Sequence, residues 1–168
     1  MTGEHAELAD MLACRERRAA LQEDLREKYG KTLISYCMNI PGPVKTNAQI
    51  RKAFALGEQE LRRALDGVGA VILEEKAFHE KTGDELMMAV DFSADEVKSL
   101  TLAIEEKNPL GRLFDMDVIG ADGRKLSRKA YRKCLICGRQ AQECARARRH
   151  TVAEMQAAID RLLAEQGL

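Results

Sequence analysis

Apolar residues recur along the chain in blocks whose period changes from that of a helix to that of a strand and back. Residues 4–28 contain no Gly or Pro, are rich in Ala, Glu, Leu and Arg, and run into Tyr29-Gly30, which predicts a helix with a glycine stop. Its apolar stripe (Leu8, Met11, Leu12, Ala19, Leu25) is thin, so this helix is expected to pack on the domain rather than build its core. Thr32–Ile40 mixes β-branched and aromatic residues and meets Pro41-Gly42-Pro43, as a strand entering a tight loop would. From Asn47, a good N-cap, Ile50, Phe54, Gly57, Leu61 and Leu65 keep one helical face until Gly67 and Gly69. Ala70–His79 and Glu85–Asp91 are short apolar-rich runs joined by Lys81-Thr82-Gly83-Asp84, which predicts a hairpin. Ser93-Ala94-Asp95-Glu96 has the form of a capping box, followed by Val97, Leu100 and Ile104 on one helical face and a stop at Asn108-Pro109. Arg112–Ile119 is the next strand, and Val152, Met155, Ile159 and Leu162 or Leu163 mark an amphipathic helix over Thr151–Leu163.

Between the terminal helices the order is strand, helix, strand, strand, helix, strand. That order predicts an α+β fold: a ferredoxin-like split βαβ antiparallel sheet with N- and C-terminal helices and a small Cys/His knuckle. A chain of 168 residues accommodates one such core. We therefore expect a single domain over 1–168, with a helical segment at 1–30, an α+β core at 31–120, a basic Cys/His segment at 121–150 and a C-terminal helix at 151–168.

Composition narrows the class. Apolar residues at 45 % and charged residues at 32 % suit a globular protein and exclude fibrous or disordered classes. No apolar run approaches the roughly 20 residues that span a bilayer, and Met1-Thr2-Gly3-Glu4-His5 lacks a basic region followed by an apolar stretch. The expected location is cytoplasmic, with no membrane partner. Five cysteines then read as reduced thiols or metal ligands. The net charge of zero conceals an asymmetry: residues 121–150 hold ten Lys or Arg against two acids, so they carry +8 and the remainder carries −8. Such clustering points to an anionic partner, with a solvated basic face as the bland alternative.

Two constellations carry chemistry. On a strand, Asp115 and Asp117 point to one side while Phe114, Met116 and Val118 point to the other. Two carboxylates about 7 Å apart along the backbone repel each other unless a cation or proton lies between them. Mg2+ takes such hard oxygen ligands and completes its shell with water and phosphate, as phosphoryl and nucleotidyl transfer requires. The competing reading is a pair of acids that keep a strand face soluble. Cys134, Cys137, Cys144 and His150 form C-x2-C-x6-C-x5-H, a set able to close a tetrahedral structural Zn2+ site with no open position for catalysis. Three free thiols and an incidental histidine are the alternative. Cys14 and Cys37 read as packing residues. His79 is either a structural histidine or a general base.

The aspartates sit in a longer block, Asn108-Pro109-Leu110-Gly111-Arg112-Leu113-Phe114-Asp115-Met116-Asp117-Val118. Together with Pro41-Gly42-Pro43-Val44-Lys45, Leu126-Ser127-Arg128 and Cys134-Leu135-Ile136-Cys137, in that order over about residues 30–150, it resembles the apo-citrate lyase phosphoribosyl-dephospho-CoA transferase family. Met116 stands where Ile or Leu is expected, which leaves its core-facing role intact. The resemblance implies a nucleotidyltransferase-type enzyme. Its donor would be 2′-(5″-triphosphoribosyl)-3′-dephospho-CoA and its acceptor a serine of the apo acyl carrier (gamma) subunit of citrate lyase, with diphosphate released. On that expectation Asp115 and Asp117 are catalytic and hold Mg2+, Arg112, Arg128 and Lys45 contact phosphate, and Gly111 lets backbone approach the ligand. Glu74, Asp91 and Asp122 are possible third carboxylates. A basic zinc-knuckle nucleic-acid module is the alternative, weakened because Tyr131 is the one aromatic residue in the basic segment.

Overall fold

A computed structural model describes all residues 1–168. Alternation within its strands divides a four-stranded sheet into two faces. The elements are α1 (Leu8–Tyr29), β1 (Thr32–Met38), α2 (Ala48–Gly67), β2 (Val71–Glu80), β3 (Gly83–Asp91), α3 (Ala94–Lys107), β4 (Phe114–Ile119), α4 (Ala141–Arg146) and α5 (Val152–Glu165). Strand order is β2-β3-β1-β4 with every pairing antiparallel, consistent with the split βαβ expectation.

One sheet face presents Ile34, Tyr36, Leu86, Met88, Val90, Phe114, Met116 and Val118 to α2 and α3. The stripe read on α2 is the stripe that is buried: Ile50, Phe54, Gly57, Leu61 and Leu65 all face this core. Asn47 accepts from the Ile50 amide and caps α2. α5 closes the same core with Ile159 and Leu163, its start fixed by a reciprocal box between Thr151 and Glu154. At α3 only the serine half of the expected box forms, the Ser93 hydroxyl accepting from the Glu96 amide.

The opposite face is covered by α1, through a small cluster of Leu25, Leu33, Met87, Ala89 and Ile119. Leu8 and Leu12 of the expected stripe are exposed, so apolar burial alone does not hold this helix. Ion pairs supplement it: Arg17 and Arg18 reach the buried Glu85 of β3, and Lys28 and Tyr29 both reach Glu74 of β2.

Several boundaries differ from the sequence expectation. The hairpin loop is only Lys81-Thr82, because Gly83 and Asp84 already pair with Glu80 and His79. β4 begins at Phe114 rather than Arg112, since residues 110–113 are wound into a turn by Gly111 N–H on Asn108 O and Leu113 N–H on Leu110 O. α4 was not expected from the pattern, having too few residues to display a period.

Candidate active site

β4 is an edge strand, and the chain manages its open edge with side chains and one returning segment. Phe114 O accepts from Arg132, the Met116 amide donates to Glu105 Oε1 at 2.8 Å, and Val118 O accepts from the Leu126 amide at 2.8 Å. Partners from α3 and from residues 125–132 therefore converge on the strand that carries Asp115 and Asp117. Between these parts lies a cleft of about 1340 Å³, lined among others by Asp115, Asp117, Lys98, Glu105, Arg112 and Arg128.

The two aspartates project from the α1 side of the sheet but beyond the helix, at the cleft wall. Asp117 Oδ2 lies 2.5 Å from Lys125 Nζ, and Asp115 Oδ1 lies 3.5 Å from Arg132 Nη1. Across the strand pair, Asp115 faces Cys37 with Oδ2 and Sγ 4.0 Å apart, and Cys37 in turn faces Glu85. Burial and then the Asp115 charge push the Cys37 thiol up to about 12, so it stays neutral beside Asp115.

Glu105 is the functional candidate that sequence reading missed. Its carboxylate is 4 % exposed, receives the Met116 amide, pairs with Arg132 at 3.0 Å, and bonds Arg128. Burial raises its carboxyl above the usual glutamate range against the pull of Arg132, the Met116 amide and Arg128. A signal existed: Val97, Thr101 and Glu105 share one α3 face at i, i+4, i+8, and all three are buried. None of Glu74, Asp91 and Asp122 lines the cleft; Glu74 bonds Lys28, Asp91 pairs with Lys31, and Asp122 receives the Arg124 amide.

The other expected phosphate contacts separate into two groups. Arg128 and Arg112 line the cleft. Arg112 Nε and Nη1 are buried without any hydrogen-bond partner, and burial, then the neighbouring Arg132 charge, lower its proton affinity. A buried guanidinium in that condition favours an anion. Lys45 does not line the cleft: its ammonium donates to Ile40 O at 2.8 Å, and burial lowers its pKa. Gly111 faces protein rather than open space. A Cβ there would stand 2.3 Å from Glu105 O, so its lack of a side chain lets the 108–113 turn press against the end of α3. His79 is held on the buried Asp84 at 2.6 Å and lies outside the cleft lining.

The far wall of the cleft carries the Cys/His cluster. Cys134 and Cys137 flank a tight turn closed by Gly138 N–H on Cys134 O, with Gly138 at φ 69, a backbone conformation that favours glycine. α4 supplies Cys144, and His150 precedes the cap of α5. The four donor atoms lie within 4.8 Å of one another, with Cys137 Sγ 3.5 Å from Cys144 Sγ and 3.3 Å from His150 Nε2. This Cys3His set can hold a metal ion. Burial pushes the Cys134 thiol up, but the backbone N–H groups of Cys137 and Ile136, together with the Cys137 and Cys144 thiols, bring its net shift downward. Burial and then the other two sulfurs push Cys144 up to about 11. Thiols this close resist joint ionisation unless a cation joins them.

The sequence of the chain is similar to those of known proteins. The family model described as apo-citrate lyase phosphoribosyl-dephospho-CoA transferase matches residues 6–166. A probable apo-citrate lyase phosphoribosyl-dephospho-CoA transferase of Streptococcus pyogenes serotype M18 is 36 % identical over 170 residues, covering 96 % of this chain and 88 % of the relative. The apo-citrate lyase phosphoribosyl-dephospho-CoA transferases of Citrobacter koseri and Escherichia coli O1:K1 are 31 % and 32 % identical, each covering 93 % of this chain and 87 % of the relative.

Proposed function

The chain belongs to the apo-citrate lyase phosphoribosyl-dephospho-CoA transferase family, and from that premise we propose how its cleft performs the transfer. The enzyme moves the phosphoribosyl-dephospho-CoA group of 2′-(5″-triphosphoribosyl)-3′-dephospho-CoA to a serine of the apo acyl carrier subunit of citrate lyase, releasing diphosphate. The observation that carries the reading is the pair Asp115 and Asp117 on one wall of a cleft whose other walls hold Arg112, Arg128 and Arg132.

The serine hydroxyl oxygen attacks the α-phosphorus of the triphosphate, and its proton passes to water. A new P–O bond forms as the bond to the β-phosphate oxygen breaks, and diphosphate departs with that electron pair. Arg112, which lines the cleft, would take up a phosphate oxygen. Arg128 and Arg132, held by Glu105, keep two further guanidinium groups fixed in the cleft. The donor set of Asp115 and Asp117, two hard carboxylates at alternate positions of one strand, suits Mg2+. Bound there, Mg2+ supplies charge neutralisation on the phosphates.

Within the same reading the Cys3His cluster is a structural zinc site. Tetrahedral zinc separates thiolate sulfurs by roughly 3.7 Å given its usual bond lengths, close to the Cys137–Cys144 spacing of 3.5 Å. We also read the sheet order and the helices on one face as the ferredoxin-like arrangement. The nucleic-acid alternative lacks support: the chain belongs to a transferase family, and Lys125, Arg128 and Arg132 of the basic segment pair with acids of the cleft.

The test is Asp115→Asn and Asp117→Asn, with diphosphate release measured in the presence of Mg2+, the triphosphate and apo carrier. Each variant should lose at least a hundredfold in rate while its circular dichroism stays that of the wild type. Near-normal release by both would remove the aspartates from the chemistry.

A further inference from the structure

Each aspartate of the cleft faces one cation, but the two cations are held very differently. Arg132 is 18 % exposed and anchored on Glu105 and Phe114 O, reaching Asp115 at 3.5 Å. Lys125 is 60 % exposed, and its ammonium bonds Asp117 at 2.5 Å and nothing else. Its backbone, by contrast, is fixed. Lys125 pairs with Ile119 in a short return against β4, with Gly120 N–H on Arg124 O and Leu126 N–H on Val118 O. The residue thus carries an exposed charged tip on a hydrogen-bonded base at the cleft wall.

A carboxylate oxygen that holds an ammonium at this distance is not free for a divalent ion, because the two cations repel. An exposed ion pair is weak, so exchanging it costs little. Once displaced, the ammonium remains in the cleft beside the position the phosphates would take, attached to a flexible four-carbon stem. We propose that Lys125 is a substrate-binding residue with two partners. In the ligand-free protein it neutralises Asp117, and when the carboxylates take a divalent cation it passes to the triphosphate. This rests on the reading of Asp115 and Asp117 as a metal site. It gives one side chain opposite effects on two ligands: it weakens the hold on the cation and strengthens the hold on the triphosphate.

The experiment compares wild type, Lys125→Met, Lys125→Arg and the Asp115→Asn/Asp117→Asn double variant. Mn2+ affinity without nucleotide is read by electron paramagnetic resonance, and affinity for the triphosphoribosyl donor in Mg2+ by calorimetry. Lys125→Met should bind Mn2+ roughly two- to fivefold more tightly, the worth of an exposed pair. It should bind the donor about tenfold more weakly, and Lys125→Arg should recover most of that loss. Unchanged Mn2+ affinity, or unchanged donor affinity, in Lys125→Met overturns the proposal while leaving the metal reading standing. If wild type and the double aspartate variant bind Mn2+ equally, the metal reading falls and the proposal falls with it.

Discussion

Glu105 shows how a single buried acid can tie together the parts of a cleft. Its carboxylate joins three things that the chain must hold together: the amide of Met116 on the edge strand, Arg128 and Arg132. Glu105→Gln retains an acceptor for the Met116 amide but leaves both guanidinium groups without their buried counter-charge. We expect a loss of about 2–3 kcal/mol in denaturant unfolding, below the cost of breaking a fully buried pair because the arginines retain some exposure. Donor affinity should also fall, since Arg132 is no longer fixed; a variant as stable and as tight as wild type would contradict this role. The aspartates were legible at this scale because strand alternation alone places Asp115 and Asp117 together. Glu105 was not, because a buried charge on a helix is recognised by its partners, and those lie 11 to 27 residues further along the chain. Gly111 was read as an approach to ligand, whereas it makes room for Glu105 O. Lys45 looked like a phosphate contact by its place after a rigid turn, yet its ammonium is used on Ile40 O.

At the scale of elements, helices and strands with a clear period were readable in advance, and the segment that lacks one was not. α2 displays its buried face in the spacing Ile50, Phe54, Gly57, Leu61, Leu65, and β1 and β3 are buried on both faces because helices cover both sides of the sheet. Residues 121–150 have almost no apolar pattern, and only the six-residue α4 is regular within them. Their order comes from the return against β4, from arginines on Glu105 and from the Cys3His cluster. Metal binding can supply the folding free energy that such a stretch cannot obtain by burial. Protein purified without added metal should therefore carry one equivalent of zinc. Its removal by a chelator should raise amide exchange across residues 130–150 while β1 and β3 stay protected. A metal-free preparation with the same protection in that stretch would show that hydrogen bonds and ion pairs suffice.

Over the whole molecule, charge is segregated to match the chemistry. The acid-rich remainder folds as an ordinary α+β layer structure, and residues 125–132 of the +8 segment are laid along the edge of the strand that carries the paired aspartates. A triphosphate and an acidic carrier would both be drawn toward that edge. No helix of the chain is long and apolar enough to cross a membrane. The family gives the substrate and acceptor, and the cleft gives the residues proposed to handle them. The most direct measurement is the intact mass of the apo carrier subunit after incubation with this protein, triphosphoribosyl-dephospho-CoA and Mg2+. The expected result is one phosphoribosyl-dephospho-CoA adduct on a single serine, with an equivalent of diphosphate, formed by the wild type and lost in the Asp115→Asn/Asp117→Asn double variant. No adduct with the wild type, or the same adduct at the same rate with the double variant, would contradict it.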